Sequence, residues 1–321
     1  LLKKLKKQLL RLHSALEQKA DEFDSIIKMG RTQLQDAVPI RFSQEISGWR
    51  NMLEKTKKML EASLPGLKEL ALGGTAVGTG LNAPKNFGPE VAKVISELTG
   101  KEFVTAENKF HALTAKDDIT FAHGALKALA ADLMKIANDV RWLASGPRCG
   151  LGEISIPENE PGSSIMPGKV NPVIPEVVSQ VAFHIVGHDT TITMAAEAGQ
   201  LELNAFEPVV FCNLFESITT LGKAVDTLIV NCITGITANR KHCKDLMESS
   251  AGIATALCPH IGYKASAAIA KTAVKTGKSV RELVLEQGLM KEKELEEVLD
   301  PYLMTEVGEE RKEDEVRRKA C

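Results

Sequence analysis

A dense group of prolines constrains how the middle of this chain can fold. Five of the 13 prolines are Pro157, Pro161, Pro167, Pro172 and Pro175. Proline lacks a backbone N–H, and its ring clashes with the preceding helical turn, so no helix can run through this stretch. The chain must therefore end one helical region before residue 157 and begin another near residue 172.

Apolar residues elsewhere recur at the three- and four-residue spacing of amphipathic helices. This spacing predicts helices over residues 1–28, 43–72 with an interruption at Pro65-Gly66, 90–99, 106–115, 117–145 and 207–231. A further long helix is predicted after Asn171, which we interpret as its N-cap, with Pro172 in its first turn. We predict that Gly30 ends the first helix and that residues 31–39 form a loop. Beyond residue 239 the predicted helices are shorter.

The composition favours an all-α protein. Hydrophobic residues make up 44% of the chain and charged residues 26%, which is ordinary for a globular protein and excludes a disordered one. Aromatic residues are only 4%, so the helices are expected to pack through small aliphatic side chains. We predict a long central helical bundle over residues 1–240 and a small helical C-terminal domain over residues 241–321.

Charge and cysteine content narrow the function classes. The 40 basic and 42 acidic residues give a formal net charge of −2, and we therefore expect neither nucleic acid nor a membrane as a partner. No apolar run is long enough to span a bilayer. The six cysteines lack the short spacings of zinc sites or disulfide frameworks, which predicts free thiols and a cytoplasmic location. The sequence indicates no metal and no cofactor.

Residues 162–172, with the sequence GSSIMPGKVNP, carry the strongest chemical signal. Ser163 and Ser164 provide hydroxyls, Lys169 a cation and Asn171 an amide, just before the predicted start of a long helix. The N-terminus of a helix carries unpaired N–H groups and partial positive charge, which attract carboxylates. A proline-glycine linker with a solvated lysine and a capping asparagine would show the same spacing, so the residues alone leave both interpretations open.

This segment matches, position by position, the GSSxMPxKxNP pattern of the fumarase/aspartase superfamily. Three further segments resemble blocks of the same family, at residues 30–39 (GRTQLQDAVP), 74–82 (GTAVGTGLN) and 145–148 (SGPR). The resemblance implies anti elimination of an amine or water from a small dicarboxylate, giving fumarate. It also implies a homotetramer whose active sites are shared between subunits. The intermediate would be a doubly negative aci-carboxylate, which preorganised donors and cations stabilise.

Family precedent also implies roles for individual residues. By this resemblance Ser163 is the catalytic base, and the substrate-binding residues are Ser164, Lys169, Asn171, Thr32 and Gln33. Serine is a weak base unless its alkoxide is stabilised, which Lys169 and helix N–H groups could do. Glu176 stands where fumarases have a carboxylate that pairs with a pocket histidine. Because Gln33 replaces that histidine, we interpret Glu176 as a supporting residue near the helix start.

Three local features favour the aspartase branch of the family. Gln33 stands where fumarases usually carry histidine, and the segments 172–178 (PVIPEVV) and 197–204 (EAGQLELN) resemble aspartases. An ammonium leaving group is already protonated, so its loss needs no strong general acid. We therefore predict L-aspartate ammonia-lyase activity, a carbon–nitrogen lyase reaction, with fumarate hydratase as the alternative.

The N-terminal part of the family pattern has no match in this sequence. Full family members begin with a domain that carries another substrate-binding block, and residues 1–321 contain nothing similar to it. The helical pattern also starts at Leu1 without a cap. We therefore expect that the N-terminal family domain is absent from this chain and that its pocket alone is incomplete. A helical scaffold without catalytic activity is the second alternative.

Two histidines raise a separate question. His184 and His188 are four residues apart, a spacing that lets two imidazoles on one helix hold a metal ion. No acidic third ligand stands at a diagnostic position in the sequence, and we therefore assign both to packing or to an interface. The other histidines, His123 among them, have no catalytic partner that the sequence reveals.

Overall fold

The computed structural model describes residues 1–160, 162 and 165–306, and helices dominate it. The predicted all-α class is confirmed. The helices are α1 (Leu2–Phe23), α2 (Phe42–Ala62), α3 (Phe87–Thr99), α4 (Lys109–Thr114), α5 (Asp117–Leu143), α6 (Val173–Glu197), α7 (Glu207–Asn231), α8 (Arg240–Ser249), α9 (Cys258–Ile261), α10 (Tyr263–Thr276), α11 (Val280–Glu286), α12 (Glu292–Val298) and α13 (Pro301–Met304). The strands are β1 (Ile27–Thr32), β2 (Gln35–Arg41), β3 (Glu69–Leu70), β4 (Val104–Thr105), β5 (Ile154–Ser155) and β6 (Thr237–Ala238). Among the helices described, none combines the length and apolar character that crossing a bilayer requires.

The described residues form two compact units. The bundle unit comprises Leu1–Ala15, Trp49–Trp142 and Ile156–Gly235, and the hairpin unit comprises Leu16–Gly48, Leu143–Ser155 and the described residues from Ile236 onward. The hairpin unit thus joins residues late in the chain to two earlier segments. The domain boundary at residue 240 stays a prediction.

Helices α6 and α7 pack against each other within the bundle unit. Each has 25 residues, which corresponds to a length of about 38 Å. Their buried faces include Val178, Ala182, Ile185 and Ile192 on α6 and Leu214, Ile218, Leu221 and Val225 on α7. These positions recur every three or four residues, as the sequence predicts. Burying each larger aliphatic side chain stabilises the unit by about 1.5 to 3 kcal/mol.

The predicted helix bounds hold for the long helices and fail near the N-terminus. The helix predicted over 207–231 coincides with α7. The first predicted helix is too long, because α1 ends at Phe23 and β1 begins at Ile27. The predicted role of Gly30 as the end of a helix is therefore wrong. The apolar spacing around Met29 fits a strand as well as a helix, and periodicity alone does not separate the two.

The prediction of a loop over residues 31–39 is also wrong, because these residues belong to an antiparallel β-hairpin. Strands β1 and β2 are joined by a two-residue turn, Gln33-Leu34, whose φ angles are 53° and 61°. Positive φ at both positions is the geometry of a type I′ turn, which usually contains Asn or Gly. The Gln-Leu pair therefore gives no sequence signal for a hairpin.

The hairpin is irregular at Gly30. Met29 pairs with Pro39, and the pairing resumes at Arg31 with Asp36. Two residues of β2 therefore oppose the single residue Gly30, which defines a β-bulge. A Cβ atom at this position would lie 2.8 Å from a carbonyl oxygen of β2. Glycine is needed here because the two strands approach too closely for a side chain.

The helices of the hairpin unit surround one apolar cluster. Its buried members are Met29, Met247, Ile253, Ala254, Leu257, Ile269, Ala273, Val280, Leu283, Val284, Met290, Leu295 and Leu299. Met29 comes from β1, so the hairpin is packed against the helices that follow residue 240. A capping box between Ser279 and Glu282 begins α11, and it satisfies backbone N–H groups that the helix itself leaves unpaired.

Glu153 is fully buried in the hairpin unit, and two cations neutralise its carboxylate. Arg31 Nη1 lies 2.8 Å from Oε1, and Lys28 Nζ lies 3.1 Å from Oε2. Lys28 also contacts Glu45 at 2.9 Å. Lys28 and Arg31 are three residues apart, so a regular strand would direct them to opposite faces. The bulge at Gly30 lies between them, and both side chains reach the same carboxylate.

The segment 145–148 leads the chain into this ion cluster. The hydroxyl of Ser145 accepts a hydrogen bond from the Leu151 N–H at 3.0 Å, and its carbonyl oxygen accepts one from the Gly152 N–H at 2.9 Å. The Glu153 N–H then donates to the Leu143 carbonyl oxygen at 2.9 Å. These bonds close the loop and fix the backbone from which the Glu153 side chain extends.

We expect Glu153→Gln to lower the free energy of unfolding of the hairpin unit by about 3 kcal/mol, because Lys28 and Arg31 would keep their charges and lose a shared partner. Hydrogen-exchange mass spectrometry of peptides from this unit measures the change. Glu248→Gln is the matched control, because Glu248 pairs with Lys244 at an exposed i,i+4 site, and such pairs contribute little. Equal exchange in the two variants would contradict the expectation.

Candidate active site

The segment 162–172 closes on itself ahead of α6. The side-chain amide of Asn171 donates to the Gly162 carbonyl oxygen at 2.7 Å. A Cβ atom on Gly162 would lie 1.5 Å from the Lys169 carbonyl oxygen, so only glycine allows this approach. The segment is therefore a loop pinched at its base, which we call the pinched loop. Ser163 and Ser164 belong to its sequence but lie outside the described residues.

Asn171 does not cap α6, so that interpretation is wrong. Helix α6 begins at Val173, and the residue at its N-cap is Pro172, which makes no side-chain capping bond. The reason is that the Asn171 side chain closes the pinched loop instead. Lys169, two residues earlier, is exposed. The loop therefore presents a cation beside a first helical turn that no side chain caps.

Glu176 lies in the first turn of α6, where the helix dipole favours a carboxylate. Its Oε1 atom is 3.5 Å from Nη2 of Arg141 on α5. Both side chains are about two-fifths exposed, so solvent weakens this ion pair and it adds little stability. The contact nevertheless gives the carboxylate a cationic partner. The supporting role of Glu176 stays a prediction.

Thr32 and Gln33 lie at the exposed tip of the β1–β2 hairpin. Thr32 is the last residue of β1 and pairs with Gln35, and Gln33 is the first turn residue. Both belong to the hairpin unit, whereas Lys169 and Asn171 belong to the bundle unit. The structure thus brings Thr32 beside Gln33 and, separately, brings Lys169 and Asn171 together at the pinched loop. Their contacts with substrate stay predictions.

The hairpin tip is held in a strained conformation. A left-handed backbone costs a non-glycine residue about 1 to 2 kcal/mol, and Gln33 and Leu34 both adopt it. Leu34 is also 53% exposed although it is apolar. Strained residues of this kind concentrate at functional sites. Arg31, anchored on Glu153, fixes the strand just before the turn and so preorganises the tip.

A buried polar network crosses the bundle unit, and the sequence analysis did not find it. His123 Nδ1 lies 2.9 Å from Asp189 Oδ1, and His123 Nε2 lies 2.9 Å from Ser217 Oγ. His188 Nδ1 lies 2.9 Å from the same Ser217 oxygen. Lys127 bonds the second oxygen of Asp189. The network connects α5, α6 and α7, and it gives His123 the partners that the sequence did not reveal.

One sequence signal for this network existed. Ser217 occupies a core position of α7, between Leu214 and Leu221 in the apolar spacing. A polar side chain at a buried position requires a hydrogen-bond partner. The pattern therefore indicated that a partner exists, but its identity depends on how α5 and α6 pack against α7, which spacing does not show.

Burial and hydrogen bonding set the charges in the network. Burial lowers the pKa of His123 below its ordinary value of 6.5, although the hydrogen bond to Asp189 opposes the shift. Burial also lowers the pKa of His188, and the nearby His184 adds to the effect. Burial alone would raise the pKa of Asp189, but hydrogen bonds from Lys127 and His123 lower it overall. Near neutral pH the two buried imidazoles are therefore neutral and Asp189 is ionised.

Comparison with family models matches residues 1–187 to a family described as Lyase. The match covers more than half of the chain. The chain belongs to this lyase family. Residues 253–306 separately match a model described as Fumarase C C-terminus, and the resemblance to the fumarase/aspartase superfamily is thereby confirmed.

Named relatives specify the similarity further. The chain is 53% identical over 294 residues to a fumarate hydratase class II of Bacillus anthracis, and the alignment covers 92% of the chain and 64% of that protein. It is 52% identical over 303 residues to a fumarate hydratase class II of Staphylococcus epidermidis, and this alignment covers 94% of the chain and 66% of that protein. The chain therefore spans slightly less than two thirds of the length of these relatives.

Solved structures show the same fold. A recombinant class II fumarase from Schistosoma mansoni matches with a TM-score of 0.91 and 38% identity, over 94% of this chain and 66% of that one. A fumarate lyase:delta crystallin from Brucella melitensis, bound to cobalt, also matches with a TM-score of 0.91, at 44% identity over 95% of this chain and 66% of that one.

The predicted L-aspartate ammonia-lyase activity is wrong, because these relatives at 52% to 53% identity are named fumarate hydratases. The prediction depended on Gln33 and on two short segments of sequence. Gln33 lies at an exposed turn, and Glu176 has Arg141 as a partner. Glu176 thus has a cationic partner even though Gln33 replaces the histidine. Gln33 is therefore weak evidence for ammonia rather than water as the leaving group.

We expect the bundle unit to lose stability as the pH falls below about 6.5, because a histidine with a lowered folded-state pKa takes up a proton on unfolding. Both tryptophans, Trp49 and Trp142, belong to this unit, so urea unfolding followed by tryptophan fluorescence measures the effect. His123→Gln removes one of the two titrating rings and should reduce the pH dependence. His111→Gln alters an exposed histidine and should leave the pH dependence of stability unchanged. Identical pH profiles for the two variants would exclude the buried network as the source of that dependence.

Proposed function

We propose that this chain acts as a fumarate hydratase, which adds water across the double bond of fumarate to give malate and catalyses the reverse elimination. Membership of the lyase family and 52% to 53% identity to named fumarate hydratases support this activity. The activity and substrate remain proposals for this chain, which spans 64% of the Bacillus anthracis relative. The observation that carries the proposal is the pinched loop.

The chemistry requires a base and a stabilised dianion. In the elimination direction, Ser163 as an alkoxide takes a proton from the carbon next to a carboxylate of malate. The electron pair is held as an aci-carboxylate, and the carbon–oxygen bond on the neighbouring carbon then breaks. The departing hydroxide takes a proton from solvent and leaves as water, and Ser163 releases its proton to solvent. Hydration follows the same steps in reverse. Because the carbon acid is very weak, preorganised positive charge must stabilise the intermediate.

The pinched loop offers that charge. Lys169 is exposed in the same loop that contains Ser163 and Ser164, directly before a helical turn without a side-chain cap. The lysine and the helix dipole both favour a bound carboxylate. Asn171 holds the base of the loop through Gly162, which fixes these two positions before substrate binds.

The resemblance to the fumarase/aspartase superfamily also implies a substrate-binding role for the hairpin tip. Thr32 and Gln33 carry neutral hydrogen-bonding groups, which can bind a carboxylate or orient water without changing charge. Their backbone is already fixed by the strained turn and by the anchor of Arg31 on Glu153. We assign them to substrate binding, and we assign Glu176 to supporting the start of α6.

Substitutions in the pinched loop test the activity. We expect Ser163→Ala to lower kcat by about 10² to 10⁴, because it removes the base. Lys169→Met should raise KM and lower kcat, whereas Lys264→Met, at an exposed position on α10, should change neither. The assay follows the ultraviolet absorbance of fumarate, both for the 321-residue chain and for the chain joined to the part of the Bacillus anthracis relative that it does not match.

Two results would contradict the assignment. Wild-type rates in Ser163→Ala would exclude this serine as the base. Faster consumption of fumarate with ammonia than with water alone, in the joined protein, would exclude the hydratase activity. Absence of turnover in the joined protein, with its folded state verified by circular dichroism, would favour a helical scaffold without activity.

The oligomeric state and the sharing of active sites also belong to this proposal. The bundle unit exposes large apolar side chains on the paired helices α6 and α7, namely Val177, Phe183, Val186 and Met194 on α6 and Val209, Phe211, Phe215 and Val230 on α7. Extended apolar surface of this kind marks protein interfaces. We infer that these faces pack against other copies of the chain in a homotetramer whose active sites combine residues of several subunits.

We expect Phe183→Glu and Phe215→Glu each to shift the protein to smaller species in sedimentation velocity, because a buried, unpaired charge would oppose association. Tyr263→Glu, at a 78% exposed aromatic residue on α10, is the matched control and should not change the size. A wild-type monomer at micromolar concentration would contradict the assembly.

A cytoplasmic location completes the proposal. The cysteines among the described residues are free thiols, and burial raises the pKa of Cys232 and Cys243 to about 12. Thiols with such a high pKa are not reactive, and unpaired cysteines are typical of reducing compartments.

A further inference from the structure

Three side chains on α6 and α7 form a cluster that the proposed function does not use. His184 and His188 lie on α6, and Glu216 lies on α7. One potential ligand atom from each lies within 4.8 Å of the other two. The His188 Nε2 atom is 4.0 Å from Glu216 Oε2, and the two imidazole centres are 4.2 Å apart. The acidic third ligand that the sequence did not reveal therefore comes from the neighbouring helix.

The buried network fixes the orientation of the protons on His188. The Asp189 carboxylate can only accept, so His123 donates to it from Nδ1. Neutral His123 then accepts the hydroxyl proton of Ser217 at Nε2. Because Ser217 has no second proton, its oxygen accepts from Nδ1 of His188. Nε2 of His188 is thus left with a lone pair on the side of Glu216.

A lone pair and a carboxylate that face each other repel unless a cation lies between them. Histidines that bind metals usually donate the other ring N–H to a fixed acceptor, which sets the tautomer and the ring orientation. Ser217 is such an acceptor for His188, and it is fully buried. The chain of bonds continues through His123 to Asp189, where Lys127 supplies the opposite charge.

We propose that His184, His188 and Glu216 bind a divalent transition-metal ion of the zinc class, with water as a further ligand. Two imidazoles and one carboxylate suit zinc, whereas magnesium and calcium prefer oxygen ligands alone. Ligand atoms around a tetrahedral zinc ion are about 3.3 Å apart. The exposed side chains of His184 and Glu216 close the remaining distance by rotation, while Ser217 holds His188 in place. This site is independent of the proposed hydratase activity.

Isothermal titration of the full chain with zinc chloride, in its native oligomeric state, tests the site. All titrations use a background protein that carries Cys149→Ser and Cys212→Ser, because exposed thiols can also bind zinc. We expect one zinc ion per chain and no binding of magnesium chloride. His184→Ala and Glu216→Gln should each weaken zinc binding at least tenfold, and Ser217→Ala should weaken it by about 10-fold to 100-fold.

His111→Ala is the matched control, because His111 pairs with Asp117 at 3.1 Å but belongs to no group of three candidate ligands among the described residues. It should bind zinc as the background protein does. Zinc should also raise Tm, since it binds the folded state, and this rise should be absent in His184→Ala. Absence of zinc binding, or a zinc affinity in His184→Ala and Glu216→Gln equal to that of the background protein, would overturn the proposal.

Discussion

A carboxylate removed from water needs opposite charge and hydrogen-bond donors, and the described part of each unit contains one such group. In the hairpin unit, Glu153 is held by Lys28 and Arg31. In the bundle unit, Asp189 is held by Lys127 and His123. Both carboxylates join segments that are far apart in the sequence. The need to pair each buried carboxylate with particular cations therefore fixes the relative positions of elements that apolar packing alone would specify less precisely.

The long helices could be predicted from the sequence because one physical effect determines them. Apolar residues at helical spacing specified α7 completely and α5 and α6 nearly so. The head of α6 was also recognisable, since prolines exclude a helix before residue 172. The position of Lys169 and Asn171 before that helix indicated a carboxylate site or a plain linker equally, and their predicted roles in substrate binding come from the family resemblance.

The hairpin and the polar network could not be predicted in this way, because tertiary contacts determine them. Gln33 and Leu34 have no preference for a type I′ turn, and the turn forms because Arg31 and the strand pairing hold its ends. His123 and Ser217 meet only when their helices pack. Asn171 shows the same limit, since its preference for an N-cap was overridden by a partner nine residues away.

The bulge at Gly30 affects how this part of the protein can change its length during evolution. Strand residues alternate between faces, so one inserted or deleted residue reverses the direction of every side chain beyond it. Lys28 and Arg31 flank Gly30, so a residue inserted or deleted between them would displace one of the two cations from Glu153 and leave a buried charge poorly compensated. Changes of length between these two residues are therefore disfavoured, and this part of β1 is expected to diversify by substitution.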